Sequence, residues 1–171
     1  MSYRLQPVSA RGAIHSTEEV LSPLALAQKV KLQLDANDPD LQVHADETKL
    51  QQILVNLVAN GIKHSKPDGV VTLSCHADGE AVVFDVADDG EGIPNERLRD
   101  IFDPYVQLEG SNGRATTGWG LGLAISRELS QGMSGTLTVR SELGRGSVFS
   151  LQLPRESAIR SASAPARLPV S

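Results

Sequence analysis

Four polar residues in one short stretch, Asn56, Asn60, Lys63 and His64, recur at the three- and four-residue intervals that bring side chains to one side of a helix. Two amides and a cation in that pattern can do specific chemistry. Asn oxygens are neutral ligands suited to magnesium that is also held by phosphates and water, and a nearby lysine supplies a point charge for those phosphates. On the helix alone, a solvated polar face explains the stripe equally well. Further on, Asp88-Asp89-Gly90-Glu91-Gly92-Ile93 follows directly on a strand pattern. The first carboxylate therefore stands at a rigid strand end, while two glycines let the chain turn sharply and approach a ligand. A carboxylate accepts from the exocyclic amine of adenine, whereas guanine shows an acceptor at that edge, so one buried Asp can tell them apart. An acidic turn accounts for this motif taken in isolation. The third motif, Gly118-Trp119-Gly120-Leu121-Gly122-Leu123, opens a helix, where free backbone N–H groups and the helix dipole favour phosphate. Its G-x-G-x-G spacing follows a polar loop instead of a strand, which argues against a dinucleotide-binding fold.

These residues need rigid elements to hold them. Leu50, Ile53, Leu54, Leu57, Val58 and Ile62, completed by Gly61, form an apolar stripe roughly 100° from the polar one. A helix from Asp46 to Ser65 is therefore predicted, capped by Asp46 and closed by Pro67 and Gly69. Before it, Tyr3 to Val8 reads as a short edge strand with Pro7 tolerable only at an edge. Ser16 to about Lys29 reads as a helix using Val20, Leu21, Leu24, Ala25 and Ala27, which Pro23 would interrupt near its start. Strands are predicted at Val30 to Asp35 and Leu41 to His44. After the main helix, Val71, Leu73 and Cys75 pair through the Asp78-Gly79 turn with Val82, Phe84 and Val86. A short helix over Asn95 to Tyr105 would use Leu98, Ile101 and Phe102. A further helix starts near Gly118 and ends around Gln131, and a last hairpin sets Leu137 and Val139 against Phe149, Leu151 and Leu153 through the glycines at 144 and 146. This order suits an α+β fold with helices layered on one face of a mixed sheet.

At 171 residues and 40% hydrophobic content the chain supports one sizeable core. A net charge of -5 supplies no basic footprint for nucleic acid or an anionic membrane, and neither is expected as a partner. A single cysteine and no apolar run near the ~20 residues that span a bilayer point to a reducing cytoplasm. Residues 155–171 are poor in large apolar side chains and are expected to form a disordered tail or linker, leaving 1–154 as the domain. Gln107 to Thr117 loses nearly all apolar content and is longer than most connections, which fits a mobile lid over a nucleotide.

With these pieces in order, the chain from about Leu5 to Leu153 resembles the catalytic, ATP-binding domain of bacterial sensor histidine kinases. That family lies in the superfamily shared with type II topoisomerase and chaperone ATPases. NLVANGIKHS resembles its asparagine box, DDGEGIP its first glycine box, IFDPYVQ its phenylalanine box and GWGLGLAIS its second glycine box. Each box alone is weak, whereas their order and spacing together are highly specific. The resemblance implies a two-layer α/β sandwich, mostly antiparallel, that binds ATP and magnesium. It implies that Asn60 ligates magnesium with Asn56 beside it, Lys63 contacts phosphate, Asp88 binds adenine, and Gly118, Gly120 and Gly122 cradle the phosphates. Gly90, Gly92, Ile93, Phe102, Leu121 and Leu123 belong to the same boxes and are expected to border the nucleotide. The sequence departs from the family pattern at Gly61, usually alanine; His64, often Tyr or Phe; Asp89, frequently Asn; and Trp119, typically a small residue. His64 is still expected to flank the adenine.

Topoisomerase-like and chaperone-like ATPases of the superfamily activate water with a Glu one turn before the metal-binding Asn, and Asn56 occupies that position here. An amide does not accept a proton at neutral pH, so transfer to another acceptor is expected over hydrolysis. The family's phosphoacceptor motif places an acidic residue after His and a proline four residues on. His15 is followed by Ser16 with Pro23 the nearest downstream proline, and His44, His64 and His76 fit no better. The acceptor is therefore expected on a separate dimerisation domain of a parent kinase, which can be membrane-anchored, with a response regulator downstream and this domain a monomer. The rival readings are an anti-sigma-factor serine kinase of the same fold and a non-catalytic nucleotide-gated interaction module.

Overall fold

The computed structural model describes residues 2–103 and 120–163. Helix α2 (Glu47–His64) runs where the apolar stripe predicts, and Leu50, Ile53, Leu54, Leu57, Val58, Gly61 and Ile62 are all buried. Asp46 caps it by accepting from the Lys49 amide at 3.1 Å. At the other end the Ser65 amide and hydroxyl both donate to the Gly61 carbonyl. The main sheet has the order β2 (Lys31–Asp35), β4 (Val70–Asp78), β5 (Ala81–Asp88), β7 (Gly146–Pro154), β6 (Thr136–Glu142). Among the described residues, β2–β4 is the one parallel pairing of this sheet. A second, two-stranded sheet joins β1 (Gln6–Ser9) to β3 (Gln42–Ala45).

The strand alternation decides which face is covered. Val82, Phe84 and Val86 of β5 point to the same side as Val71 and Leu73 of β4 and Phe149, Leu151 and Leu153 of β7, and all are buried. Against that face pack α1 (Ala10–Ala27), α2 and α3 (Gly120–Gly132). Each of these large apolar side chains contributes roughly 1.5–3 kcal/mol by leaving water. The result is the expected α+β, two-layer arrangement, with the mixed sheet mostly antiparallel.

Three expectations are corrected. Helix α1 starts at Ala10 instead of Ser16, because the Ser9 hydroxyl accepts from the Gly12 amide at 3.0 Å and caps an earlier turn. Its buried face is Ala10, Ala13, Ile14, Thr17, Leu21 and Ala25, while Val20 and Leu24 are 57% and 37% exposed. Pro23 lies within the helix, where packing of that face outweighs the missing N–H. The short helix predicted over Asn95 to Tyr105 is a 3₁₀ turn at Asn95–Arg97 followed by turns through Phe102, and Tyr105 lies outside the described residues.

The third correction concerns the tail. A helix, α4 (Glu156–Ser163), stands where disorder was expected. Glu156 is buried and paired with His44 Nδ1 at 2.7 Å and with Arg160 Nε at 3.6 Å, and Arg155 bridges to Val43. Composition cannot reveal a charged residue anchored by a distant partner. Residues 164–171, Gln107 to Thr117, Gly118 and Trp119 lie outside the described residues.

Candidate functional site

Helix α2 serves as the ruler of the site. From Asn56 to His64 it covers ~12 Å at 1.5 Å per residue, and each end meets a different glycine-rich segment. At the Asn56 end, the amide nitrogen donates to the buried Ser126 hydroxyl at 3.3 Å. A methyl built on Gly122 would sit 4.0 Å from the same amide, so α3 approaches α2 closely there without a side chain between them. One turn along α2, Asn60 Nδ2 is buried with no hydrogen-bond partner among the described residues. A cleft of about 470 Å³ opens beside it, lined by Leu24, Gln28, Ala59, Asn60, Ile62, Lys63 and Gly122. Lys63 is exposed at its rim.

At the His64 end, β5 delivers Asp88. Its carboxylate accepts from the Gly90 amide at 2.9 Å and lies against Gly61, whose built Cβ would be 3.7 Å from Asp88 Cβ. Gly90 packs on the end of α2, since any Cβ would fall 2.3 Å from the His64 carbonyl oxygen. Gly92, at φ +76°, is pressed in the same way against the Glu142 carbonyl. Ile93 is buried, and its amide donates to Ser141 Oγ at 2.7 Å. Asp89 turns away, accepting from the Val70 amide at 3.0 Å and so closing the α2–β4 connection.

Burial raises the Asp88 pKa above the ordinary carboxylate value; the neighbouring Asp89 adds to the rise, and the Gly90 and Ser147 amides oppose it. Burial, aided by the Lys63 charge, pushes the His64 imidazole down to about 4. His64 is therefore neutral at pH 7 and offers a ring face instead of a cation.

The structure thus brings Asn60, Lys63 and Gly122 to one cleft, sets Asn56 one turn away against Gly122 and Ser126, and brings Asp88, Gly90 and His64 to the C-terminal end of the same helix. It treats three expected site residues differently. Phe102 meets Phe149 edge-on at 6.4 Å and lies under the Arg127 guanidinium at 5.2 Å, which makes it a packing residue. Leu123 is fully buried in the core. Ile93 is held by its own amide and by burial, so it shapes the turn after Gly92. Gly120 begins α3, and the Leu121 side chain and Gly118 lie outside the description. Sequence reasoning missed Ser126, Ser141, Ser147 and Gly146. Gly146 has φ +96° and packs on the Asp88 carbonyl, an approach created by the β5–β7 register that no local pattern announces.

The family profile described as histidine kinase-, DNA gyrase B-, and HSP90-like ATPase matches residues 45–157, more than half of the chain. The chain belongs to that family. Its relatives in this ATPase family include the aerobic respiration control sensor protein ArcB of Escherichia coli (strain K12), 37% identical over 150 residues, which are 86% of this chain and 19% of ArcB. The circadian input-output histidine kinase CikA of Synechococcus elongatus is 33% identical over 159 residues, 91% of this chain and 21% of CikA. The chain therefore spans about a fifth of the length of these curated relatives. Among solved structures, full-length ShkA in complex with AMPPNP superimposes with a TM-score of 0.79 at 35% identity, covering 91% of this chain and 32% of ShkA. The domain is of the histidine-kinase ATP-binding type.

Proposed function

We propose that this domain binds Mg-ATP and transfers the γ-phosphoryl group to a histidine on a separate dimerisation and phosphoacceptor domain of a parent sensor kinase, for onward passage to a response regulator. The observation that carries the reading is Asn56: an amide, hydrogen-bonded to Ser126 beside Gly122, stands where a hydrolase of this fold needs a carboxylate base. Water is left unactivated, and the phosphoryl group is kept for the incoming imidazole, which is its own nucleophile.

In this reading Asp88 accepts the exocyclic amine of adenine, His64 flanks the base, Gly90 and Gly92 shape the turn, and Gly118, Gly120 and Gly122 with Lys63 hold the phosphates. Among the described residues no cluster of three or more His, Cys, Asp or Glu side chains could hold a metal ion. In this reading the nucleotide's phosphates supply the negative ligands of the magnesium ion. The Asn60 side chain, buried and with no partner for its Nδ2 among the described residues, can offer its amide oxygen as a neutral ligand, with Asn56 beside it. When bound, the ion neutralises charge developing on the phosphate oxygens. The chain's own contribution is to position the nucleotide along α2 and to withhold a base from water. The domain extends through α4, acts as a monomer and works in the cytoplasm.

The test supplies γ-labelled ATP and a helical hairpin carrying the acceptor histidine. Label should move to the histidine in a magnesium-dependent way. Nucleotide binding without transfer would identify a gated interaction module, and label on serine would identify the serine-kinase reading.

A further inference from the structure

The two amides of the polar stripe are held differently, and that difference has a chemical consequence. Asn60 Nδ2 has no partner among the described residues, whereas Asn56 Nδ2 donates to Ser126 Oγ. Ser126 is fully buried, two turns into α3, and Gly122 stands one turn before it on the same helix face, with its built Cβ 4.0 Å from the Asn56 amide. The amide is thus flanked on the α3 side by a hydroxyl and by a position with no side chain.

Asn56 Nδ2 is the donor and Ser126 Oγ the acceptor, a role open to a helical hydroxyl whose own proton goes to a carbonyl of its helix. Thr17, Ser22 and Ser65 each donate to the carbonyl four residues back, at 2.9, 2.7 and 2.7 Å. A serine engaged in that way keeps only its lone pairs for other partners, and a lone pair selects the nitrogen end of an amide. Its oxygen is then turned the opposite way.

We propose that Ser126 is a positioning residue that fixes the Asn56 amide with its nitrogen toward α3 and its oxygen toward the Asn60–Lys63 cleft. This rests on the phosphotransfer reading above. An unheld amide populates both flips, and the flipped form aims a donor where a neutral oxygen is needed. The Nδ2–Oγ separation is 3.3 Å, at the long end for a hydrogen bond.

The direct test uses the nucleotide-free chain. In nitrogen-15 NMR spectra, the Asn56 side-chain amide of the native chain should exchange slowly, and Ser126→Ala should shift it and speed its exchange while leaving the Asn60 signal in place. In transfer to the hairpin, Ser126→Ala should lower kcat ~10-fold with KM for ATP within about 3-fold, the pattern of lost orientation without lost binding. Adding Ser126→Ala to Asn56→Ala should cause no further loss, because the serine acts through that amide. An unchanged Asn56 signal, or losses that multiply in the double variant, would overturn the proposal. If the native chain transfers no phosphate, the phosphotransfer reading fails by itself, and the NMR comparison still decides the role of Ser126.

Discussion

Asp88→Asn should separate nucleotide recognition from folding, because the carboxylate is useful to one and costly to the other. Its pKa is raised by burial, so the folded state holds the proton more tightly than the unfolded chain. Stability is consequently lost as pH rises from the unfolded carboxyl value through the folded one, and the ionised group is a net cost at pH 7. Asparagine removes that cost. Against this, Gly90 and Ser147 both donate backbone N–H groups to the carboxylate, and an amide with one oxygen serves them less well. One weakened backbone bond costs about 1 kcal/mol, while relief of the buried charge acts in the opposite direction, so the variant should remain folded. Binding has no such compensation. A hydrogen bond to a charged group is worth about 1.5–3 kcal/mol, which predicts a 10- to 150-fold weaker Kd for ATP. The amide nitrogen also presents a donor that suits guanine O6, so the preference for ATP over GTP should collapse as ATP affinity falls. Titration with fluorescent ATP and GTP analogues, beside thermal melts at pH 5 and pH 7, measures all three quantities. Equal losses for both nucleotides in a destabilised protein, or native ATP affinity in a folded one, would refute the assignment of Asp88 to the base.

Lys63→Ala should weaken ATP binding ~10-fold and adenosine binding hardly at all, since its partner is phosphate and a charge-assisted contact of ~1.4 kcal/mol is lost; calorimetry with both ligands decides. Gly90→Ala should lower the melting temperature by several degrees, because its Cβ would fall 2.3 Å from a backbone oxygen, whereas Gly61→Ala should be nearly neutral, its closest neighbour being Val71 Cγ1 at 3.3 Å. The His64 contribution to stability should rise with pH between about 4, where the folded ring titrates, and about 6.5, where the unfolded one does, because the unfolded state binds the extra proton in that window; its sign is opposite to that of Asp88. The gain is at most ~3 kcal/mol, reduced by solvent at the ring, and urea melts of His64→Asn should show a flatter profile.

The amino-acid sequence by itself determined the central helix, its two stripes and both of its ends, because periodicity and capping are local properties and α2 obeys them from Asp46 to Ser65. The two hairpins and the order of elements were legible for the same reason: strand alternation and Asp-Gly turn chemistry act over a few residues. The residue types at Asn56, Asn60, Lys63 and Asp88 were equally legible, and the structure sets the first three along α2 and the fourth at the end of β5. The tertiary structure decided everything that depends on distant partners. Pro23 is carried inside α1 because a buried face from Ala10 to Ala25 holds the helix in place. Helix α4 forms because Glu156 finds His44, 112 residues earlier in the chain. Phe102 packs on Phe149 because β7 lies beside β5, and Ser126 meets Asn56 because α3 crosses α2 at a glycine. Local energies select the elements, whereas register and helix contact select which of their side chains become a site.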